Sequence, residues 1–488
     1  MKFLLGIDIG TSGTKAVLFD EKLNIIDMHD ETYPLYTIKE KHIEQQPSDW
    51  FSATTKCIKN LVDKNDVGDK IVGVGVGGQM HGLVLLDENN EVLRPSIIWC
   101  DQRTERECEE ITSVIGAEKL IEITANPALT GFTLSKILWV KNNEPEIYSK
   151  IAHIMLPKDY INFKLTGKYS TDVSDASGMQ LLDIKNRCFS KEILSAFDIK
   201  EEWLPKLYES EEVIGTVTDA MATATGLTSK CVLIAGAGDQ AASAIGNGIV
   251  KEGIVSDNLG SSGVVFAHTD KPLIDSLGRV HTFCHAVKGK WHIMGVTQGF
   301  GVSIKWFRDN FAQDKSYKEL DAEAIKLMDK ASKLIFLPYL MGERTPHLDP
   351  NAKGVFFGLD TTDNINTMYK SVLEGVVFSQ RDCMSVMEEM GVKATEVRVS
   401  GGTARSLIVR EMLANNFKSD VTMSDSQESG CKGVAILAGV GANLFDSVEE
   451  ACEEFVVFSN VTKCTNSNAY DSKYNTYKKL YNNLKELF

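Results

Sequence analysis

The sequence predicts an α/β protein of two related lobes around a central cleft. Three observations carry this. Strand-like and helix-like patterns alternate along the chain, a strand–turn–strand unit recurs about 250 residues after its first occurrence, and 488 residues are too many for one ordinary core.

The alternation begins at once. Apolar runs at 3–8 and 14–20 flank a glycine-rich turn, and runs at 71–77 and 83–87 form another pair. Helical periodicity shows over 48–63, 134–142 and 368–390. Tyr470, Tyr474, Tyr477, Tyr481, Leu484 and Phe488 are spaced by three or four residues, which is one face of a terminal helix docked on the body.

The recurring unit is Asp8-Ile9-Gly10-Thr11-Ser12-Gly13 and, later, Asn258-Leu259-Gly260-Ser261-Ser262-Gly263. Each copy follows one strand-like run and precedes another, at 15–19 and 264–267. A duplicated unit near the start of each half sets the lobes at 1–250 and 251–488, with the boundary near 250–253.

Size and composition bound the function. Hydrophobic residues make up 43% and charged residues 24%, the proportions of a globular protein. With 52 Lys and Arg against 67 Asp and Glu, the net charge is −15, which argues against a nucleic-acid surface. The longest small-apolar stretch, 231–250, is broken by Asp239, Gln240 and Asn247, so no membrane span is expected. The first residues lack the apolar core of a secretory signal, and the ten cysteines show no CxxC pair. A cytoplasmic protein with reduced thiols is expected.

Several motifs carry chemistry. Gly10-Thr11-Ser12-Gly13 offers two glycines that let backbone N–H groups converge on an anion, and two hydroxyl donors. Asp8, just before that turn, is placed to hold Mg²⁺ against phosphates. Either loop alone reads equally well as a plain hairpin turn; two together favour paired phosphate binding. Neither is a P-loop. Gly401-Gly402, between a strand-like run at 396–399 and a helical pattern reaching 417, lets a nucleotide approach closely, though ordinary turns share the feature. In Ala235-Gly236-Ala237-Gly238-Asp239-Gln240, an apolar strand runs into glycines and then a carboxylate. That Asp suits a general base, and, taken alone, reads more readily as a helix N-cap. Gly78-Gln79-Met80-His81-Gly82 offers a flexible apolar wall at Met80 and a ring donor or acceptor at His81, on a tight strand-end loop. A lone His is otherwise an ordinary structural residue. Trp306 reads either as lining a nucleotide cleft or as core.

Taken in order, the three loops resemble those of the sugar-kinase branch of the actin/Hsp70/hexokinase superfamily. The chain resembles the FGGY carbohydrate kinases from Leu5 to about Gly441, including Lys136 three residues before Trp139 and the segment Gly342-Glu343-Arg344-Thr345-Pro346-His347. Gly78-Gln79-Met80-His81-Gly82 and the Trp99-x-Asp101-x-Arg103 pattern resemble its xylulokinase branch. The resemblance implies two actin-like, ribonuclease H-like lobes that close on ligand. It implies ATP and Mg²⁺ as cofactors and phosphorylation of D-xylulose to D-xylulose 5-phosphate. By that likeness Asp239 is the base, and Met80, His81, Asp239 and Gln240 hold the sugar. Thr11, Ser12, Gly13, Gly260 and Ser261 hold phosphates; Gly401, Gly402 and Arg405 hold the adenosine; Asp8 holds the metal. The first lobe then binds sugar and phosphate, the second nucleotide, and a homodimer is implied. Gln240 departs from the Asn often found after the base. The competing readings are a kinase for ribulose, gluconate or a related polyol, and an actin- or Hsp70-like ATPase without a sugar.

Overall fold

The structure, a computed structural model, describes residues 1–328, 333–424 and 428–488. Two seven-stranded sheets organise it. In the first, Phe3–Ile9, Gly13–Asp20 and Ile25–Thr32 form an antiparallel meander. Phe3–Ile9 also pairs in parallel with Ile71–Gly78, and that strand with Val232–Ile234. The second sheet repeats this order. Ile254–Leu259, Gly263–Thr269 and Trp291–Thr297 form the meander, and Ile254–Leu259 is followed in parallel by Glu396–Ser400 and Val421–Ser424. The six-residue sequence repeat falls on the first hairpin turn of each sheet. Parallel neighbours need a crossover, which is why long helical segments separate these strands in the chain.

Helix Pro47–Asn65 serves the first sheet. Proline at its start leaves no N–H to orphan, and Trp50, Cys57, Ile58 and Leu61 bury one face against the sheet. In the second lobe, the Asn364 side chain caps Ile365–Glu389 by accepting from the N–H groups of Asn366 and Thr367. The terminal helix Asp471–Leu484 docks there through Tyr474, Tyr477 and Tyr481, and the Tyr339 hydroxyl donates to that of Tyr477 at 2.9 Å.

Two features differ from what the sequence alone suggests. The runs at 71–77 and 83–87 do not pair with each other. Ile71–Gly78 enters the first sheet, whereas Val84–Leu86 pairs with His153–Met155, because the loop between them turns sharply at His81, whose φ is +71°. Helix Ser429–Gly441, late in the chain, lies against the first sheet rather than the second. Its fit to Asp239–Gly246 is so close that a Cβ on Gly433 would stand 1.9 Å from the Ala242 carbonyl oxygen. The chain therefore returns to its first half before ending in its second. A small apolar cluster of Met80, Phe132, Phe266, Phe283, Met294 and Val296 joins side chains from both halves.

Candidate functional site

Three chain segments reach one edge of the first sheet. Asp8 and Ile9 stand opposite Gly77 and Gly78, and Ala237 and Gly238 pair with the same two glycines from the other side. The Gly10–Gly13 turn, the Gly78–Gly82 loop and Asp239 thus arrive side by side at the carboxyl ends of parallel strands, the usual place for a ligand.

The first turn closes by the Gly10 N–H donating to the Gly13 carbonyl at 3.0 Å. Glutamines lock it to the neighbouring loop. The Thr11 hydroxyl donates to Gln79 Oε1 at 3.4 Å, Gln79 Nε2 to Gln45 Oε1 at 2.8 Å, and Gln45 Nε2 to the Thr11 carbonyl at 2.7 Å. Asp8 faces the start of helix Ser429–Gly441, where a Cβ on Gly430 would lie 3.2 Å from its Oδ2. Burial and then the charge of Glu428 push the Asp8 carboxyl up to about 6, against the opposing effect of Lys15.

Of the two residues expected from sequence to meet the sugar in this loop, Met80 is buried and His81 half-buried, and both are packed. Met80 is 5% exposed and sits so near Gly238 that a Cβ there would approach its Cγ to 2.9 Å. His81 Nδ1 lies 2.9 Å from the Gly178 carbonyl, and its ring packs on Phe132 with centroids 4.7 Å apart. Burial depresses its pKa to about 3, so the imidazole is neutral and Nδ1 carries the proton donated to Gly178. Lys136 Nζ and the Thr133 hydroxyl both donate to the His81 carbonyl, at 2.8 and 3.1 Å. Two aromatic groups from the second sheet, His281 and Phe283, continue this wall, stacked at 5.7 Å.

Asp239 opens helix Asp239–Gly246; its Oδ1 accepts the adjacent Gln240 N–H at 2.7 Å, and the Gln240 side chain also hydrogen-bonds the carboxylate. An N-cap would reach further, to the second or third amide of the helix. Burial, then the charge of Asp8, raise the Asp239 carboxyl to about 7. A group with that pKa exchanges protons readily at neutral pH. Gln240 is half-buried beside it.

The second lobe contributes a cavity of about 960 Å³ lined by Gly260, Ser261, Gly301, Gly402, Arg405 and Ile408, among others. The Gly301 N–H holds the Gly260 carbonyl at 3.0 Å, so this turn is braced by the start of helix Gly301–Phe311. Gly401 has φ +90° and presses on the Leu259 carbonyl, where a Cβ would come to 2.7 Å. It shapes the cavity while Gly402 faces it. The helix expected after this pair begins only at Leu407, because Gly402–Arg405 forms a 3₁₀ turn. Ile304 and Lys305 face the cavity, whereas Trp306 stacks on Phe336 at 6.2 Å.

Residue-by-residue reading of the sequence passed over Gln45, Phe132, Gly178 and Glu428. Phe132 lies just ahead of the Lys136–Trp139 pair that resembles the family; the others carry no local signal, since their roles come from partners far along the chain.

Comparison with known proteins agrees with this architecture. The model of the FGGY carbohydrate kinase N-terminal domain matches residues 3–246, and that of the C-terminal domain matches 256–442. The chain belongs to the FGGY family of carbohydrate kinases. It is 38% identical to the xylulose kinase of Lactococcus lactis over all of this chain and 98% of that protein. Among solved structures, the ligand-bound xylulose kinase of Lactobacillus acidophilus superposes with a TM-score of 0.94 at 29% identity, covering 99% of each chain. The gluconate kinase of the same organism gives 0.93 at 29% identity, covering 99% of this chain and 98% of that one. This FGGY kinase therefore has the actin-like, two-lobed sugar-kinase fold and is a phosphotransferase acting on a carbohydrate. No helix among the described residues is long and apolar enough to cross a membrane.

Proposed function

We propose that this FGGY kinase transfers the γ-phosphoryl group of ATP to the terminal O5 hydroxyl of D-xylulose, giving D-xylulose 5-phosphate. The observation that carries the reading is the placement of Asp239, a half-buried carboxyl beside both the Met80–His81 loop and the Gly10–Gly13 turn, whose pKa is pushed up to about 7 by desolvation and then by Asp8. Curated xylulose kinases 31–38% identical over essentially the whole chain support the choice of sugar.

Asp239 accepts the O5 proton and aligns that oxygen for in-line attack. Met80 and Phe132 pack against the carbon chain, and His81 and Gln240 hydrogen-bond its hydroxyls. The N–H groups and hydroxyls of Thr11, Ser12 and Gly13 meet the phosphates from one lobe, and Gly260 and Ser261 from the other. Gly401, Gly402 and Arg405 receive the adenosine. Asp8 fits Mg²⁺: its carboxylate is a hard oxygen donor, and the cation acting on it, Lys15, is already paired with Glu428. When bound, that ion offsets the negative charge of the phosphates. Closure of the lobes around both substrates excludes water as a competing acceptor. Ten free cysteines, most of them buried, suit the reducing cytoplasm, and the family likeness favours a homodimer.

One observation favours a second substrate. The Arg344 charge reaches both His81 and His281, and a cation there would suit the carboxylate of gluconate. ADP release with D-xylulose, ribulose, gluconate and glycerol decides between them. The reading expects D-xylulose to give a kcat/KM at least tenfold above the rest; a gluconate rate that leads the panel overturns it.

A further inference from the structure

A buried polar relay stands behind Asp239. Lys158 has no solvent exposure and lies 2.6 Å from Asp159, 2.9 Å from Asp172 and 3.7 Å from Asp175. Burial alone would lower its pKa; the three carboxylates overcome that and keep it raised, so Lys158 is a fixed positive charge. Asp172, paired through Oδ1 with Lys158, accepts at Oδ2 from the Ser174 N–H at 2.8 Å, the Ser174 hydroxyl at 2.5 Å and the Ser210 hydroxyl at 2.8 Å. With its proton committed to Asp172, Ser174 Oγ has its lone pairs free. The Gly238 N–H donates to it at 3.2 Å. Gly238 is the residue before Asp239.

The same short segment also reaches the Met80–His81 loop and the second sheet. Four residues beyond Ser174, the Gly178 carbonyl holds His81. Between them, the Ser177 hydroxyl accepts the Cys284 N–H, in the second sheet, at 3.0 Å. Residues 172–178 therefore tie the base, the sugar loop and the second lobe to one charged anchor. An ordinary turn could satisfy the Gly238 amide with a neighbouring carbonyl. Here a Lys and an Asp are buried with no solvent exposure to fix a single hydroxyl on it.

We infer that Ser174, locked by Asp172 and Lys158, is a positioning residue for phosphoryl transfer. It acts through the Gly238 amide to hold Asp239 in line with the sugar hydroxyl. This rests on Asp239 being the base. Small misalignments are costly in such sites, of order 10²-fold for about 1 Å.

The test compares Ser174→Ala, Asp239→Asn and the double variant, each checked by thermal melt, with radiolabelled ATP and D-xylulose. Ser174→Ala should lower kcat by about 10- to 100-fold and leave the KM for ATP within twofold. In the double variant it should cost nothing beyond Asp239→Asn, because its effect passes through that carboxylate. If Ser174→Ala does not fold, Ser174→Cys keeps nearly the same volume with a poorer acceptor, and the same kcat-selective loss is expected. A folded Ser174 variant with kcat within twofold of wild type, or losses that multiply in the double variant, overturns the positioning role alone. Full turnover by Asp239→Asn instead removes the reading beneath it, and the proposal with it.

Discussion

Lys15 Nζ lies 2.9 Å from Glu428 Oε1, joining the first hairpin to the start of the late helix, 413 residues further along. Asp8 sits beside this pair, and both charges act on it: Glu428 raises its pKa and Lys15 lowers it. Replacing Lys15 with Met removes the charge that opposes Glu428 among the described residues. Asp8 then titrates above its present value of about 6, and more of it is protonated at neutral pH. The half-exposed pair adds little to stability, under about 1 kcal/mol. The variant should therefore melt normally but need about three- to tenfold more Mg²⁺ for half-maximal rate at pH 6.5, a gap that closes by pH 8.5. Mg²⁺ titrations at the two pH values check this; an equal requirement in both proteins at pH 6.5 would free Asp8 from the metal role.

His81 offers a second handle, because the proposed reaction places it on the sugar side and away from the nucleotide. His81→Ala loses the Gly178 hydrogen bond and the Phe132 contact. It should cost about 1–3 kcal/mol of stability. The KM for sugar should rise at least tenfold, by loss of about 1.4 kcal/mol or more of binding, while the KM for ATP stays within twofold. Steady-state kinetics with each substrate varied separates the two. A folded variant with unchanged sugar kinetics would remove His81 from the pocket.

Three buried histidines of the second lobe should contribute to the loss of stability in acid. His268, His285 and His292 cluster with centroids 5.1 Å (268 to 285) and 5.5 Å (285 to 292) apart, and burial depresses all three. His292 is pushed down to about 3, stacks on Phe266 and has no hydrogen-bond partner on either nitrogen among the described residues. A histidine buried neutral binds fewer protons folded than unfolded. Its stabilising contribution is complete above about pH 6.5 and is lost as pH falls from there toward 3, at up to about 1.4 kcal/mol per pH unit. His292→Phe should keep the apolar fit and lose that slope. The drop in melting temperature from pH 7 to pH 5 should be several degrees smaller than in wild type; an equal drop would mean that His292 does not govern acid unfolding.

The features legible in the sequence were those written locally. The turns at 10–13 and 260–263 announce themselves because tight backbone needs glycine and anion binding needs hydroxyls, all within a few residues. The periodic faces of Pro47–Asn65 and Ile365–Glu389 show for the same reason. Helix Ser429–Gly441 did not stand out. It is buried against both the first sheet and Asp239–Gly246, so its small and apolar residues leave no one-sided pattern. The partners of the candidate site were hidden too. Gly178 and Ser174 act on His81 and Gly238 from 97 and 64 residues away, and nothing in their own neighbourhood marks them. Arg405 and Gly402 lie on the same cavity wall, but their neighbours there, such as Tyr317 and Asp321, come from a helix over 80 residues earlier.

The central claim is that Asp239 accepts the proton of a sugar hydroxyl. The direct measurement is xylulose-dependent ADP formation from pH 5.5 to 9, in wild type and in Asp239→Asn, with Mg-ATP binding measured alongside. The wild-type rate should rise with pH through a midpoint near 7, as the Asp239 carboxyl loses its proton. Asp239→Asn should bind Mg-ATP with similar affinity and lose about 10²–10⁴-fold in rate, with a flat profile over that range. An Asn variant that turns over D-xylulose at near wild-type rate with the same midpoint would contradict the account.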